Sequence, residues 1–194
     1  MQQNIIAVIW DFDKTLIKGY MQKPIFEKFN IDETEFWREV NSLYDRYQEQ
    51  GIKVNKDTIY LNHMITCTNQ GIFKNLNNTM LKELGKELEF YPGIPELFEE
   101  LRDSVETNER YRKHDIKLEH YIISTGIAEM IRGSKIINYV DGIWGCEFIE
   151  TPIKSEIDIK EYGKKESKEE KVISQIGYVI DNTSKTRAIF EINK

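Results

Sequence analysis

The sequence predicts an α/β fold, a parallel sheet core into which a small helical domain is inserted, and three observations predict it. Ile5 to Trp10 is a continuous, partly β-branched apolar run, the pattern of a strand covered on both faces in a parallel sheet. "HYIIS", His120 to Ser124, has the same character and precedes "TGIAEMI", where spacing at Ile127, Met130 and Ile131 turns helical. Between these two strand, loop and helix units runs a stretch from about Gly19 to Phe90 whose signals are almost all helical, so it stands outside the sheet.

Within that stretch, Asp32 can cap a helix and Glu35 can complete a capping box. Phe36, Trp37, Val40, Leu43, Tyr44 and Tyr47 then form one apolar face, which Gly51 ends. Asp57 to Thr68 and Thr79 to Leu88 read as further helices, with Gly71 a stop between them. In "FYPGIPELFEEL", Pro92 and Gly93 break the chain before Ile94, Leu97, Phe98 and Leu101 carry the face of a new helix. Re-entry therefore falls near Tyr91. Residues 1–18 and 91–194 are assigned to the α/β core and 19–90 to the helical insertion.

Past the second unit, "DGIWGCEFIE" and "ISQIGYVI" read as strands and "SKTRAIFEINK" as the start of a helix. "IKEYGKKESKEEK", dense in both charges, reads as a solvated loop rather than a binding patch. There are no internal repeats.

Composition narrows the classes. At 194 residues the chain holds one good core, or one core with an accessory piece. The 40% apolar and 31% charged shares are ordinary for a soluble protein. No stretch approaches the about 20 apolar residues of a membrane span. Cys67 and Cys146 lie far apart and in no metal-type spacing, which fits a reducing cytoplasm. The opening "MQQNIIAVIW" lacks the basic start and cleavage site of a secretory signal and reads as a first strand. Net charge is −6 with both signs interspersed, so no basic stripe invites nucleic acid.

The chemistry sits at the end of the first strand, in "WDFDKT". Side chains alternate along extended chain, so Asp11 and Asp13 point to one side and Phe12 to the other. Sites in α/β proteins lie at the C-terminal ends of parallel strands, and neighbouring acids there repel unless a cation sits between them. Mg²⁺ suits such a pair, because it takes hard oxygen ligands and bridges carboxylates to a phosphate. One acid can then attack phosphorus while the other handles the leaving-group proton. The plain alternative is a strand end and a turn, where Asp is common.

With its apolar strand ahead of it, Asp11-Phe12-Asp13-Lys14-Thr15 resembles the first motif, Asp-x-Asp-x-Thr, of the haloacid dehalogenase-like (HAD) hydrolases. The resemblance implies a Rossmann-like parallel sheet core with an inserted helical cap. It implies further that Asp11 becomes a phospho-aspartate, that Asp13 is general acid and base, and that both help hold Mg²⁺. Asp13 argues against dehalogenation, since dehalogenating members usually lack the second acid. The family's second motif, a Ser or Thr ending the next core strand, matches Ser124 in "YIISTG". There a hydroxyl and the amides of Thr125 and Gly126, near a helix N-terminus, can bind a phosphoryl oxygen; the alternative is a Ser that caps the helix. "YPGIPELFEEL" is similar to the re-entry segment of members whose cap closes over the site, excludes water and chooses the substrate. Met130 to Gly133 and "DGIWGCEFIE" look most like the phosphoserine phosphatase branch.

The family's third motif is a Lys at the start of a later helix, which Lys185 in "DNTSKTRAIFEI" fits. A second register gives that role to Lys168 or Lys171 and makes Asp181, after "IGYVI", the final metal acid. It ranks lower, because "CEFIE" and "IGYVI" read as a strand pair leading into the Lys185 helix. With Lys185 as the third motif, the further strand and acid of the family's fourth motif are not found before Lys194.

The expectation is a Mg²⁺-dependent phosphomonoester hydrolase acting on a small phosphorylated metabolite, cytoplasmic, with neither nucleic acid nor membrane as partner. Its rival is an impaired or truncated relative that binds a phosphorylated ligand or a protein, or a homo-oligomer in which a second copy completes the sheet. Transport ATPases also use Asp-Lys-Thr but continue with Gly-Thr, where this chain has Leu16 and Ile17. His63, His114 and His120 fall on different predicted elements and read as structural or solvated, and the aromatic residues of the Asp32 helix read as core.

Overall fold

An apolar strand needs a neighbour for its backbone, and β1 (Ile5–Trp10) finds one in β2 (Lys117–Ile127). The two run parallel, with Ile5 opposite Lys117 and Trp10 opposite Ile122. On the far side of β2, β3 (Gly142–Ile149) is also parallel, and β4 (Gln175–Tyr178) closes the order β1-β2-β3-β4 antiparallel to β3. The structure, a computed structural model, describes residues 4–152 and 171–193. Lys168 and most of the charge-rich segment lie outside the described residues.

The expectation that β1 is covered on both faces is corrected. Among the described residues β1 is an edge strand, and Ile5, Ile6 and Ile9 are 51%, 37% and 37% exposed. Only the C-terminal end of β1 is well packed, where Trp10 meets Phe98 edge to face at 5.3 Å. The helices lie over β2 and β3 instead: α5 (Glu96–Glu106) packs on β2, and α7 (Ala128–Gly133) packs on β3.

Helices form where their ends are satisfied and one face is apolar. In α2 (Glu33–Glu49), the Asp32 carboxylate accepts from the Glu35 amide at 2.8 Å, and Phe36 and Val40 are buried. Gly51 follows at φ 75°, a conformation that suits glycine. Phe98 in α5 is fully buried, worth roughly 2–3 kcal/mol of apolar transfer. Further helices are α3 (Ile59–Asn69), α4 (Asn78–Leu84) and α8 (Lys185–Ile192). Two short ones, α1 (Lys23–Phe29) and α6 (Glu109–Arg112), are too brief for periodicity to mark. Among the described residues no helix is long and apolar enough to cross a membrane.

The chain leaves and re-enters the core through one narrow connection. Ile17 and Phe90 pair antiparallel; the Lys18 amide donates to Glu89 O and the Tyr91 amide to Leu16 O, both at 3.0 Å. Beyond it, α4 lies against α7, and both contact points are glycines. A Cβ on Gly85 would collide with Met130 O, and one on Gly133 with Lys82 O.

His63 and His120 are buried and His114 is exposed. Trp10 Nε1 donates to His120 Nδ1 at 3.1 Å, and His120 Nε2 lies 2.9 Å from Phe98 O. These partners fix a neutral imidazole with its proton on Nε2. Cys67 and Cys146 are free and buried.

Candidate active site

At the end of β1 the chain turns back on itself. The Leu16 amide donates to Phe12 O at 2.9 Å, Lys14 takes φ 59°, and its amide donates to Gly19 O at 3.2 Å. Phe12 is fully buried, whereas Asp11 is exposed and Asp13 is half-buried, as alternation predicts. The Thr15 hydroxyl donates to Asp11 Oδ2 at 3.1 Å, and the Met21 amide donates to Asp13 Oδ1 at 3.0 Å.

Burial pushes the Asp13 carboxyl up to about 7; the Met21 amide opposes the rise and the Asp11 charge adds to it. At Asp11 a cation meets the carboxylate. Lys185 Nζ donates to Asp11 Oδ1 at 2.6 Å. The lysine is the first residue of α8, and the turn before it is tied reciprocally. Asp181 Oδ1 accepts from the Ser184 amide at 2.6 Å, and Ser184 Oγ accepts from the Asp181 amide at 2.8 Å. The Lys185 amide in turn donates to Asp181 O at 3.1 Å.

Asp13 opens on a cavity of about 430 Å³ between the core and the helical insertion. Tyr20, Trp37, Val40 and Tyr60 form its apolar wall, and Thr125 and Gly126 its floor. Trp37 lies between the other two rings, 5.7 Å from Tyr20 and 5.8 Å from Tyr60. The Tyr60 hydroxyl donates to Thr125 O at 2.9 Å, and burial holds this phenol well above its usual range, so it stays a donor. Gln22 Oε1 and Trp37 Nε1 are buried with no partner among the described residues. Cys146 Sγ stands 3.4 Å from Thr125 O; burial pushes the thiol up to about 11, which rules it out as a thiolate nucleophile near neutrality.

Solved structures of the same shape decide the fold. A HAD family hydrolase from Salmonella enterica serovar Typhi superposes at a TM-score of 0.57 and 12% identity, over 97% of this chain and 50% of that one. A substrate-bound phosphoserine phosphatase gives 0.55 and 14%, over 99% and 71%. The fold is that of the haloacid dehalogenase-like hydrolases. A phosphoserine phosphohydrolase-like protein from Francisella tularensis gives a TM-score of 0.52 at 17% identity, over 99% and 73%. In sequence, the chain is 40% identical over 194 residues to an uncharacterized protein of Borreliella burgdorferi and spans 66% of its length. No protein-family model matches the chain.

On this HAD-like fold, the predicted site residues divide. Asp11, Asp13 and Lys185 come together, and Thr125 and Gly126 reach the cavity beside Asp13. Ser124 is 1% exposed, and its Oγ accepts from the Gly126 amide at 3.0 Å. The strand expected to end at Ser124 runs on: β2 continues to Ile127, and α7 begins at Ala128, so Thr125 and Gly126 lie just before a helix start. The parallel pairing of β2 with β3 breaks register after Ile123 and resumes at Ile127 opposite Cys146, with Ser124, Thr125 and Gly126 in the irregular stretch between.

Of the second register, Asp181 and Lys171 lie among the described residues and Lys168 does not. Asp181 spends one oxygen on the Ser184 amide and the other on Asn55 Nδ2, at 2.7 Å. Lys171 is exposed. Among the described residues no group of three or more His, Cys, Asp or Glu is placed to hold a metal ion. Tyr60, Gln22, Asn55 and Asp57 had no motif to announce them. They sit in the helical insertion, and only folding brings them to the core.

Proposed function

We propose that this chain carries the phosphoryl-transfer centre of a phosphomonoester hydrolase that works through a phospho-aspartate on Asp11. The observation that carries the reading is the Lys185 ammonium on Asp11 beside an Asp13 carboxyl whose pKa is about 7.

An Asp11 carboxylate oxygen attacks phosphorus, and the bond from phosphorus to the leaving oxygen breaks. Asp13, whose carboxyl burial pushes up toward neutrality, gives its proton to that oxygen as it leaves. The Asp13 carboxylate then takes a proton from water, whose oxygen attacks phosphorus and frees Asp11 and inorganic phosphate. Lys185 offsets the negative charge gathered on Asp11 and the phosphoryl group throughout. Trp37 and Tyr60 give the cavity beside Asp13 an apolar wall for the rest of the substrate.

The paired acids fit Mg²⁺: they are hard oxygen donors on one side of one strand end, and Asp13 carries the burial cost that a cation would relieve. Asp11 and Asp13 would hold the ion, which supplies further neutralisation of the phosphoryl oxygens. The substrate class is a small phosphorylated metabolite whose alcohol part fits the cavity of about 430 Å³.

A second reading, a chain that binds phosphate without turning it over, is favoured by one observation: among the described residues no group of three or more His, Cys, Asp or Glu is placed to hold a metal ion. The two separate in one assay of a generic phosphomonoester with Mg²⁺ and with a chelator. Mg²⁺-dependent turnover that disappears in Asp11→Asn supports the hydrolase. Phosphate binding by a folded, monodisperse sample that shows no turnover establishes the second reading and removes the first.

A further inference from the structure

The helical insertion grips the turn that carries Lys185. Asn55 and Asp57, in the segment that leads into α3, reach across to Asp181 and Asn182 in the turn before α8. Asn55 Nδ2 donates to Asp181 Oδ2 at 2.7 Å. Asn182 donates to Asp57 Oδ2 twice, from its backbone amide at 3.2 Å and from Nδ2 at 2.9 Å. The two gripping residues are themselves tied, because the Asp57 amide donates to Asn55 Oδ1 at 2.9 Å.

What they hold is the element that aims the cation. Asp181 shares its carboxylate between insertion and helix, one oxygen on Asn55 and the other on the Ser184 amide. The next residue is Lys185, whose Nζ meets Asp11. Hydrogen bonds therefore run from Asn55 to Asp181, and from Asp181 both to the Ser184 amide and, through its carbonyl, to the amide of Lys185, the residue that faces the nucleophile. The rest of α8 is tied elsewhere: Trp144 Nε1 donates to Glu191 Oε2 at 2.8 Å, the Tyr178 hydroxyl donates to the same carboxylate, and Ala188 is its one buried residue, whereas its N-cap Ser184 makes no side-chain cap of its own helix. Tyr60, on the first turn of α3, donates to Thr125 O, and both line the same cavity as Asp57 and Asn182. The insertion thus holds both Thr125 and Asn182, two core residues that line the cavity, and Asn182 belongs to the turn before the lysine.

We propose that Asn55 and Asp57 are positioning residues: by holding Asp181 and Asn182 they set the turn ahead of Lys185, so that the cation stands on Asp11 when the insertion is seated over the cavity. The kinetic side of this inference rests on the hydrolase reading, and its mechanical side does not. Seating the cap and completing the charge around Asp11 become one event. A substrate that holds the insertion down also holds the lysine in place.

The test is amide hydrogen exchange together with steady-state kinetics on the full chain. In Asn55→Ala and in Asp57→Ala, exchange at the amides of Lys185 to Ala188 is expected to quicken roughly fivefold while that of β2 stays unchanged. Against a generic phosphomonoester, kcat is expected to fall roughly tenfold with KM changed by less than about twofold. Asp57→Asn, which keeps an acceptor for Asn182, is expected to restore both. Unchanged exchange in α8 overturns the proposal whatever the kinetics show, and faster exchange with unchanged kcat overturns the positioning role. If the unsubstituted chain turns over no phosphomonoester, the hydrolase reading falls and the exchange result alone decides whether the insertion holds α8.

Discussion

Lys185 Nζ lies 2.6 Å from Asp11 Oδ1, an ion pair between residues 174 positions apart in the chain. Its side chains remain 28% and 45% exposed, so it contributes only about 0–1 kcal/mol to stability. Its value is electrostatic and local to the site. Lys185→Met is therefore expected to lower kcat/KM for a phosphomonoester on the order of 10²–10³-fold, the scale of one lost charge-stabilising donor. Thermal midpoints of the two proteins should agree closely. A variant that keeps its activity would remove Lys185 from the mechanism.

Asp13 makes stability depend on pH. Its carboxyl is raised from 3.8 to about 7 in the folded protein, so between those values the folded state binds more protons than the unfolded one. Its contribution thus falls as pH rises through that window and is constant above it. Comparing the unfolding midpoint at pH 5 and pH 8 in the unsubstituted protein and in Asp13→Asn isolates this contribution. The unsubstituted protein should lose more stability over the interval, and Mg²⁺ should restore it at pH 8 if the acids hold the ion. Equal slopes in both proteins would show that Asp13 is not perturbed.

His120 acts with the opposite sign. Burial holds its imidazole below the usual value, the Phe98 carbonyl partly opposing this, so the folded state binds fewer protons as the pH drops through 6.5. Stability present above that pH is lost beneath it. His120→Ala leaves the Trp10 indole and the Phe98 carbonyl without their partner and opens a cavity. A cost of about 3 kcal/mol is expected in urea unfolding. A cost under 1 kcal/mol would mean that solvent reaches both groups.

The contact between α4 and α7 tolerates no side chain at its glycines. A methyl group on Gly133 meets Lys82 O, a backbone atom that moves only with its helix. Gly133→Ala is expected to cost about 1–3 kcal/mol by chemical denaturation, the usual penalty for overpacking. A neutral result would show that α4 slides freely on α7.

Much of the site was legible in the sequence, for identifiable reasons. An apolar run followed by Asp11 and Asp13 marks a strand end, and alternation alone puts Phe12 inside and the acids together. The Asp32 helix was visible because its cap and its apolar face lie within one short window. Lys185 stood out because a strand pair and a capping turn precede it, and β3, β4 and Asp181 supply both. The exposed side of β1 was not legible, since an apolar run says that a strand can be buried and not which of its neighbours are present. Ser124 was placed at the correct strand, yet its hydroxyl turns to the Gly126 amide because β2 continues for three residues beyond it.

By itself, then, the sequence determined what depends on near neighbours: the strands, the principal helices, and two carboxylates on one side of a strand end. Only the tertiary structure decided which cation faces Asp11, how far burial raises Asp13, and which residues of the insertion reach the turn before Lys185. Local geometry follows from spacing along the chain. Charge pairing, burial and docking depend on distance in space between segments that lie far apart along it, and these are set when the insertion closes on the core.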